Sequence, residues 1–480
     1  MMNLDFLKSA LTTQGDFLSN EGFFEWLNER KRKVSVNVTK IPFADMDHWG
    51  FDAVTHNLQH SSGRFFKIEG INVETNWGTK SHWTQPIINQ NEIGFLGIIA
   101  QKRNGILHFL MQCKIEPGNI NFVQLSPTLQ ATKSNYSRVH KGNAPLYLEY
   151  FVKENRHKHT VLLDQLQSEQ GARFLRKRNR NIIIQVEEEI AVHEDFCWLT
   201  LGQIHQILIH DNVINMDTRT VISGIPYGDY GQDTISLYET LRSAFNPDLE
   251  FESGMMYSAI ERENHLHTSD EIISWFTELK TQYELEVRQI PLNTLDEWEI
   301  TDREVRHKDS KYFKVIAVKA EIENREVMSW TQPLVESVQE GIIAFIIKKI
   351  NGVHHFMVQA KLEAGNLDIL EMAPSVQCLT GNYRKEHAEY EPHFLHYVLN
   401  RLNDPKRVHY SALQSEEGGR FFKEQNRNII IEAEDDFDET LPEGYIWMTL
   451  NQLKMFIRFN NYLNIQARGL LSAIRFNRYE

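Results

Sequence analysis

Gly94 to Ile115 reads GFLGIIAQKRNGILHFLMQCKI, two β-rich runs joined by Asn104-Gly105. Asn-Gly between such runs favours a type I′ hairpin, because both turn residues must take positive φ. The stretch recurs at Gly341 to Leu362 as GIIAFIIKKINGVHHFMVQAKL, and its Asn351-Gly352 lies 247 residues after the first turn. Other blocks keep that spacing: WTQP at Trp83 and Trp330, EPGN at Glu116 with EAGN at Glu363, QSEQGARF at Gln167 with QSEEGGRF at Gln414, and RNIII at Arg180 and Arg427. Towards the ends the offset becomes 249, as Trp26 matches Trp275, Trp198 matches Trp447 and Arg219 matches Arg468. A spacing shared by so many residue types identifies a duplicated unit, and two-residue indels in surface loops account for the change of offset.

The units run from about residue 21 to 230 and from 270 to 480, after an N-terminal arm (1–20) and around a connector (231–269) with little apolar periodicity. FFEWLNERKRK from Phe23 reads as a helix with Phe23, Trp26 and Leu27 on one face, and VSVNVTKIPF reads as a strand. Thr268 with Glu271 makes a capping-box pattern at the start of the second unit's first helix. The order helix, strands, hairpin, polar loop, helix (Leu162 to Arg178) and helix (Leu201 to Asp211) predicts an α+β fold with a mixed sheet.

A chain of 480 residues, 41% of them hydrophobic, is long enough for two or more well-cored domains. No run approaches the roughly 20 apolar residues that span a bilayer, so no membrane partner is expected. MMNLDFLKSALTTQGDF is polar and carries acid, unlike a signal peptide. Cys113, Cys197 and Cys378 share no disulfide or zinc spacing, and a reducing, cytoplasmic setting follows. The net charge of −14 argues against a nucleic-acid partner while leaving room for a local basic pocket. Neither GxxxxGK[ST] nor a strand-following GxGxxG occurs, so a bound nucleotide would be held by side chains and aromatic stacking.

The candidate chemistry lies in Val123 to His140, VQLSPTLQATKSNYSRVH, whose copy is Leu370 to His387, LEMAPSVQCLTGNYRKEH. Lys133, Tyr136, Arg138 and His140 sit among too few apolar residues to form a core face. Tyr136 and His140 suit acid/base work, and Lys133 or Arg138 suits phosphates or an enolate. Thr128, Thr132, Ser134 and Asn135 supply polar contacts beside them, with Asn382, Tyr383 and Arg384 in the copy. Asn135 and Tyr136 recur, so a structural turn in both units is the alternative for that pair. Glu149, in LYLEYF, is a further catalytic candidate, against a strand with one polar face. RFLRKRNR at Arg173 to Arg180 reads as a solvated helix end or a phosphate contact. Trp26 and Trp275 are core anchors or stacking platforms. His354 and His355 alternate faces and cannot both hold one metal.

LSPTLQATKSNYSRVHKG, LDQLQSEQGARFLRKRNRN and NMDTRTVISGI together closely resemble the NDP-hexose 2,3-dehydratase family, and the resemblance covers both repeats. It implies two Nudix-like modules, no metal or organic cofactor, a homodimer, and action on dTDP-4-keto-6-deoxy-glucose ahead of a 3-ketoreductase. Under it Tyr136, His140, Lys133 and Glu149 are catalytic, and Trp26, Thr128, Thr132, Ser134, Asn135, Arg138, Arg219, Trp275, Asn382, Tyr383 and Arg384 bind substrate. A Nudix hydrolase needs a glutamate-rich helix after the hairpin to hold magnesium. This chain has INFVQLSPTLQATKSNYSRVH there instead, with hydroxyls, amides and bases. A catalytically silent nucleotide-sugar-binding or scaffold protein on the same duplicated fold is the competing reading.

Overall fold

The computed structural model describes residues 2–132, 144–152, 155, 157–242, 250–323, 328–378 and 391–477. Two five-stranded and two seven-stranded sheets form its frame. Both Asn-Gly hairpins are present, with φ of 48° and 81° at Asn104 and Gly105 and 50° and 79° at Asn351 and Gly352. They join Gly94–Arg103 to Ile106–Ile115 and Gly341–Ile350 to Val353–Lys361. Each hairpin is the centre of a seven-stranded sheet. In the first, Arg178–Val186 lies parallel to Gly94–Arg103, and Thr160–Ser168 and Phe196–Thr200 close the edges antiparallel. The sheets are therefore mixed, and the chain is an α+β duplication.

The helix expected over Leu162 to Arg178 is not formed. Thr160–Ser168 is a strand, residues 169–177 turn back, and Arg178–Val186 returns beside it. Gln, Leu, Glu, Arg and Lys are good helix formers by themselves, yet such preferences are small. Pairing the strand with Ile182, Ile183 and Ile184, all fully buried, outweighs them. The basic run RFLRKRNR is accordingly not a solvated helix end: Arg173 and Lys177 are buried, and Arg173 stacks 4.1 Å over the Phe313 ring.

Asn20–Arg32 is a helix that buries Phe23 and Leu27, and the capping box of Thr268 with Glu271 starts Ser269–Gln282 as the sequence indicated. The arm and the connector are helical too, over Met2–Leu11, Gln232–Arg242 and Glu250–Ile260. Ser9 donates its hydroxyl to the carbonyl of Leu107 at 2.6 Å and accepts from the Leu201 amide at 2.9 Å. Ser258, 249 residues on, does the same with His354 at 2.6 Å and Leu450 at 2.9 Å. The equivalence of the halves thus extends into both segments.

The repeats are interlocked by exchanged strands. Val36–Ile41 of the first repeat pairs antiparallel with Phe313–Ile322 of the second, and Leu285–Ile290 pairs with Lys67–Thr75 of the first. Each exchanged strand places its first residue at the matching position, Val36 opposite Ile322 and Leu285 opposite Thr75.

Candidate active site

The blocks that recur most faithfully meet across the interface between the repeats. The Gly118 amide donates to the carbonyl of Gly418 at 2.8 Å, and the Gly118 carbonyl accepts from the Lys423 amide at 2.6 Å. Gly365 makes the mirrored pair with Gly171 and Arg176, both at 2.7 Å. EPGN and EAGN therefore each dock on the QSExG turn of the other repeat. WTQP braces that turn from within its own repeat, Gln85 donating to the Ala172 carbonyl at 3.1 Å and Gln332 to that of Gly419 at 2.9 Å.

Around this contact lies a buried polar seam that the sequence did not single out. Glu169 and Glu416 each accept from an asparagine amide, Asn179 and Asn426, at 2.6 Å. Burial pushes both carboxyls well above the usual range, and the neighbouring Glu417 and Glu424 carboxylates push further. Glu371 is raised to about 7 by burial, against the opposing pull of Arg468. Asp217 is raised by burial and by three nearby acids, Glu417, Glu169 and Glu116. The guanidiniums of Arg219 and Arg468 cross the seam to the carbonyls of Ser415 and Ser168. Arg219, expected to bind substrate, is a fully buried clamp between the repeats.

The polar loop leaves the first seven-stranded sheet at its edge. Val123–Ser126 and Leu129–Ala131 pair with the hairpin, and between them Thr128 spends its hydroxyl on two backbone groups, accepting from the Ile99 amide at 2.9 Å and donating to the Leu110 carbonyl. Gln130 donates to Glu116 at 2.8 Å and accepts from Asn215 at 3.1 Å, which ties the loop's root to the interface turn. Ala131 lies opposite Phe95, which lies beside Arg180, and the guanidinium sits 5.4 Å from the Phe95 ring centre. Asp164 holds that guanidinium through both carboxylate oxygens. The foot of the loop, where half-buried Thr132 stands, thus offers an aromatic face and an oriented cation. In the second repeat the same places hold Ile342, Arg427 and Ser411, with Arg427 only 3.4 Å from the Ser411 hydroxyl. Ser375 takes the structural role of Thr128 there, accepting from Ile346 at 2.8 Å and donating to Met357 at 2.5 Å.

Lys133, Ser134, Asn135, Tyr136, Arg138 and His140, with Asn382, Tyr383 and Arg384, lie outside the described residues. Glu149 stands exposed on a short 3-10 turn, Leu148–Tyr150, that packs Leu148 on the outer face of the same sheet, so the strand alternative for LYLEYF is not what forms. Trp26 is half-buried against the main core, its indole donating to the Glu194 carbonyl at 3.0 Å. Trp275 stacks on Phe276 at 5.7 Å in the matching place. His354 and His355 face different partners: Glu432 lies 3.5 Å from the first, and the second accepts from the Leu266 amide at 3.0 Å. The seam acids, Phe95 and Asp164 were missed because no local pattern marks them, while Arg180 stood out as the end of the basic run RFLRKRNR. Glu169 and Glu416 carried one signal, their place in a faithfully repeated block, whereas Phe95, Asp164, Asp217 and Glu371 differ between the repeats and carried none.

Residues 20–225 and 269–474 each match the family described as NDP-hexose 2,3-dehydratase. A dTDP-4-dehydro-6-deoxy-α-D-glucopyranose 2,3-dehydratase of Saccharopolyspora spinosa is 46% identical over 98% of this chain and 94% of its own. Proteins of the same name from Amycolatopsis orientalis and Streptomyces violaceoruber are 43% and 39% identical, over 97% and 95% of this chain and 92% and 96% of theirs.

Proposed function

Because the chain belongs to the NDP-hexose 2,3-dehydratase family, we propose that it removes water across C2–C3 of dTDP-4-keto-6-deoxy-glucose by proton abstraction at C3 and loss of the C2 hydroxyl. The observation that carries this reading is the match of both repeats over nearly the whole length of three proteins bearing that name.

The chemistry assigns work to four kinds of group. The C3 proton is acidic because the C4 ketone can accept the charge, so a base removes it while a donor or cation stabilises the developing enolate at O4. The C2 hydroxyl then departs as water once a general acid protonates it. The resulting enol tautomerises to the 3,4-diketo-2,6-dideoxy sugar, with no net oxidation or reduction. Tyr136 and His140 take the acid and base roles in this proposal, with Glu149 as a further acid or base. Lys133 and Arg138 hold the diphosphate or the enolate, and Thr132, Ser134 and Asn135 orient the sugar. The second repeat, through Asn382, Tyr383 and Arg384, completes the pocket or binds nucleotide weakly.

The working site belongs to the first repeat. Phe95 and Asp164 stand at the foot of its loop where the second repeat has Ile342 and Ser411. Lys133 has likewise become Thr380 and Thr132 has become Leu379. Each module is of Nudix-like descent, supported by the mixed sheet with its central hairpin and following EPGN turn. The protein acts in the cytoplasm as a homodimer and passes its diketone to a 3-ketoreductase, the class of reaction that this unstable product requires.

The test is turnover of dTDP-4-keto-6-deoxy-glucose with trapping of the diketone, run on the parent, Tyr136→Phe and Tyr383→Phe. We expect turnover by the parent, a loss of roughly 100-fold or more in Tyr136→Phe, as for a removed acid/base group, and a far smaller loss in Tyr383→Phe. Binding of dTDP with no turnover by the parent would favour the silent scaffold. The reverse ranking of the variants would move the site to the second repeat.

A further inference from the structure

Lys454, on helix Leu450–Phe456 of the second repeat, is only 7% exposed. Its ammonium donates to the Ser223 carbonyl at 2.6 Å and lies 4.9 Å from the centre of the Tyr227 ring, both in the first repeat. No carboxylate among the described residues offsets that burial, which pulls the amine down to about 7. A buried cation without a counter-charge costs stability.

The position equivalent to Lys454, 249 residues earlier, is His205 on helix Leu201–Ile207. His205 is 3% exposed, its Nδ1 has no hydrogen-bond partner, and burial together with the charges of Lys454 and Arg475 holds it down to about 3. Two bases related by the duplication therefore act on each other, and no acid among the described residues offsets either.

Lys454 lines a cavity of about 830 Å³ between the repeats. Three acids share that wall, and all are engaged: Asp164 with Arg180, Asp229 with Arg262, and Glu261 with the amides of Glu263 and Asn264. Arg458 and His265 also line it with no carboxylate in ion-pair contact among the described residues, Glu271 acting on His265 only through its charge, and the His265 Nδ1 is a buried atom with no hydrogen bond. The charged groups left over on that wall among the described residues are basic. The cavity is far larger than a bare oxyanion needs, which leaves room for an organic body behind the charged group.

We propose that this inter-repeat cavity binds a small phosphate-bearing molecule, with its oxyanion held by Lys454, Arg458 and His265. A dianion suits three basic groups of this kind better than a carboxylate does, and charge-assisted bonds to it would return the stability that the buried ammonium costs. Binding fixes a proton on Lys454, so affinity falls as pH rises past the point where the free amine is neutral. The groups facing that amine, His205 from the first repeat and the Tyr227 ring, offer no carboxylate to reverse this sign.

The experiment is calorimetric titration of the intact protein with inorganic phosphate, with acetate as the carboxylate control, at pH 6.5 and 8.5 and with and without saturating dTDP. We expect phosphate to bind at pH 6.5, more weakly at pH 8.5, with acetate at least tenfold weaker and dTDP without effect. Lys454→Met should lower phosphate affinity at least tenfold. Arg458→Ala, at an exposed position, should lower it several-fold and carries the test if Lys454→Met does not fold. Absence of binding, or unchanged affinity in both variants, overturns the site. Equal affinity for acetate overturns the phosphate assignment. Displacement by dTDP overturns a separate site and gives the cavity to the substrate's own diphosphate.

Discussion

At the scale of single residues, the duplication supplies its own control at the seam. Ser168 donates to Glu371 at 2.8 Å, and at the matching place Ser415 donates to Gln124, also at 2.8 Å. One repeat therefore carries an acid where its partner does the same job with an amide. Burial raises the Glu371 carboxyl to about 7. Between the ordinary carboxylate value and that point the folded chain holds a proton that the unfolded chain has released. The stability this brings is fully present below the unfolded pKa and is lost as pH rises through 7. Glu169 and Glu416 are shifted in the same direction and add to the slope. Glu371→Gln should flatten the decline between pH 5 and pH 8 by roughly 1–3 kcal/mol, of the order that such a shift carries. Urea midpoints at the two pH values measure it, and parallel lines for parent and variant would refute the assignment.

At the scale of elements, the interface turns tolerate no side chain. A Cβ on Gly118 would fall on the carbonyl oxygens of Phe421 and Gly418, and one on Gly365 on those of Phe174 and Gly171. The obstacles are backbone atoms, and the Gly418 and Gly171 oxygens among them are themselves held by the interface hydrogen bonds, so neither turn can give way by a rotamer change. Gly118→Ala and Gly365→Ala should each cost about 1–3 kcal/mol, the usual range for overpacking a closed site. Thermal melts test this, and a variant melting with the parent would mean that the two turns part easily. These glycines also show what a sequence discloses about elements. The Asn-Gly hairpins and the Thr268 capping box were legible because one or two local residues determine them. Leu162 to Arg178 was not, because its residues prefer a helix and only the neighbouring strand Arg178–Val186, made visible by folding, overrides them. The EPGN and QSExG blocks were legible as a repeated signal, while their meeting across the two repeats was not. Thr128 stood out by residue type and Arg219 through the family resemblance as ligand contacts, whereas packing engages both in backbone hydrogen bonds. A Lys454 that ends up buried looks in the sequence like any helical surface lysine.

For the whole molecule, the exchanged strands make each repeat incomplete without the other. Nothing in a strand's residues states which copy of a duplicated sheet it will pair with. Val36–Ile41 pairs with Phe313–Ile322, while Leu285–Ile290 takes the equivalent edge, Lys67–Thr75, in the first repeat. A first repeat expressed alone would leave that edge unpaired and its own strand without a partner, and both are strong templates for association. Because the two exchanges share one register, Val36–Ile41 of one copy can take the place of Leu285–Ile290 on a second copy, and the reverse. Residues 1–230 alone should therefore form a swapped homodimer, the cheapest closure available to such a chain. The self-dimer of residues 231–480 would be the less well matched, since Glu417 stands at the place of Gln170 and would face Glu416, the carboxylate that in the intact protein accepts from Gln170 at 3.1 Å. Co-expression with residues 231–480 should give a one-to-one complex in preference to either self-dimer. Light scattering and native mass measurement of the separate and mixed halves decide the matter. A half that remains a folded monomer would show that strand exchange is incidental to the fold, and a mixture that keeps to self-dimers would show that the seam does not discriminate between the repeats.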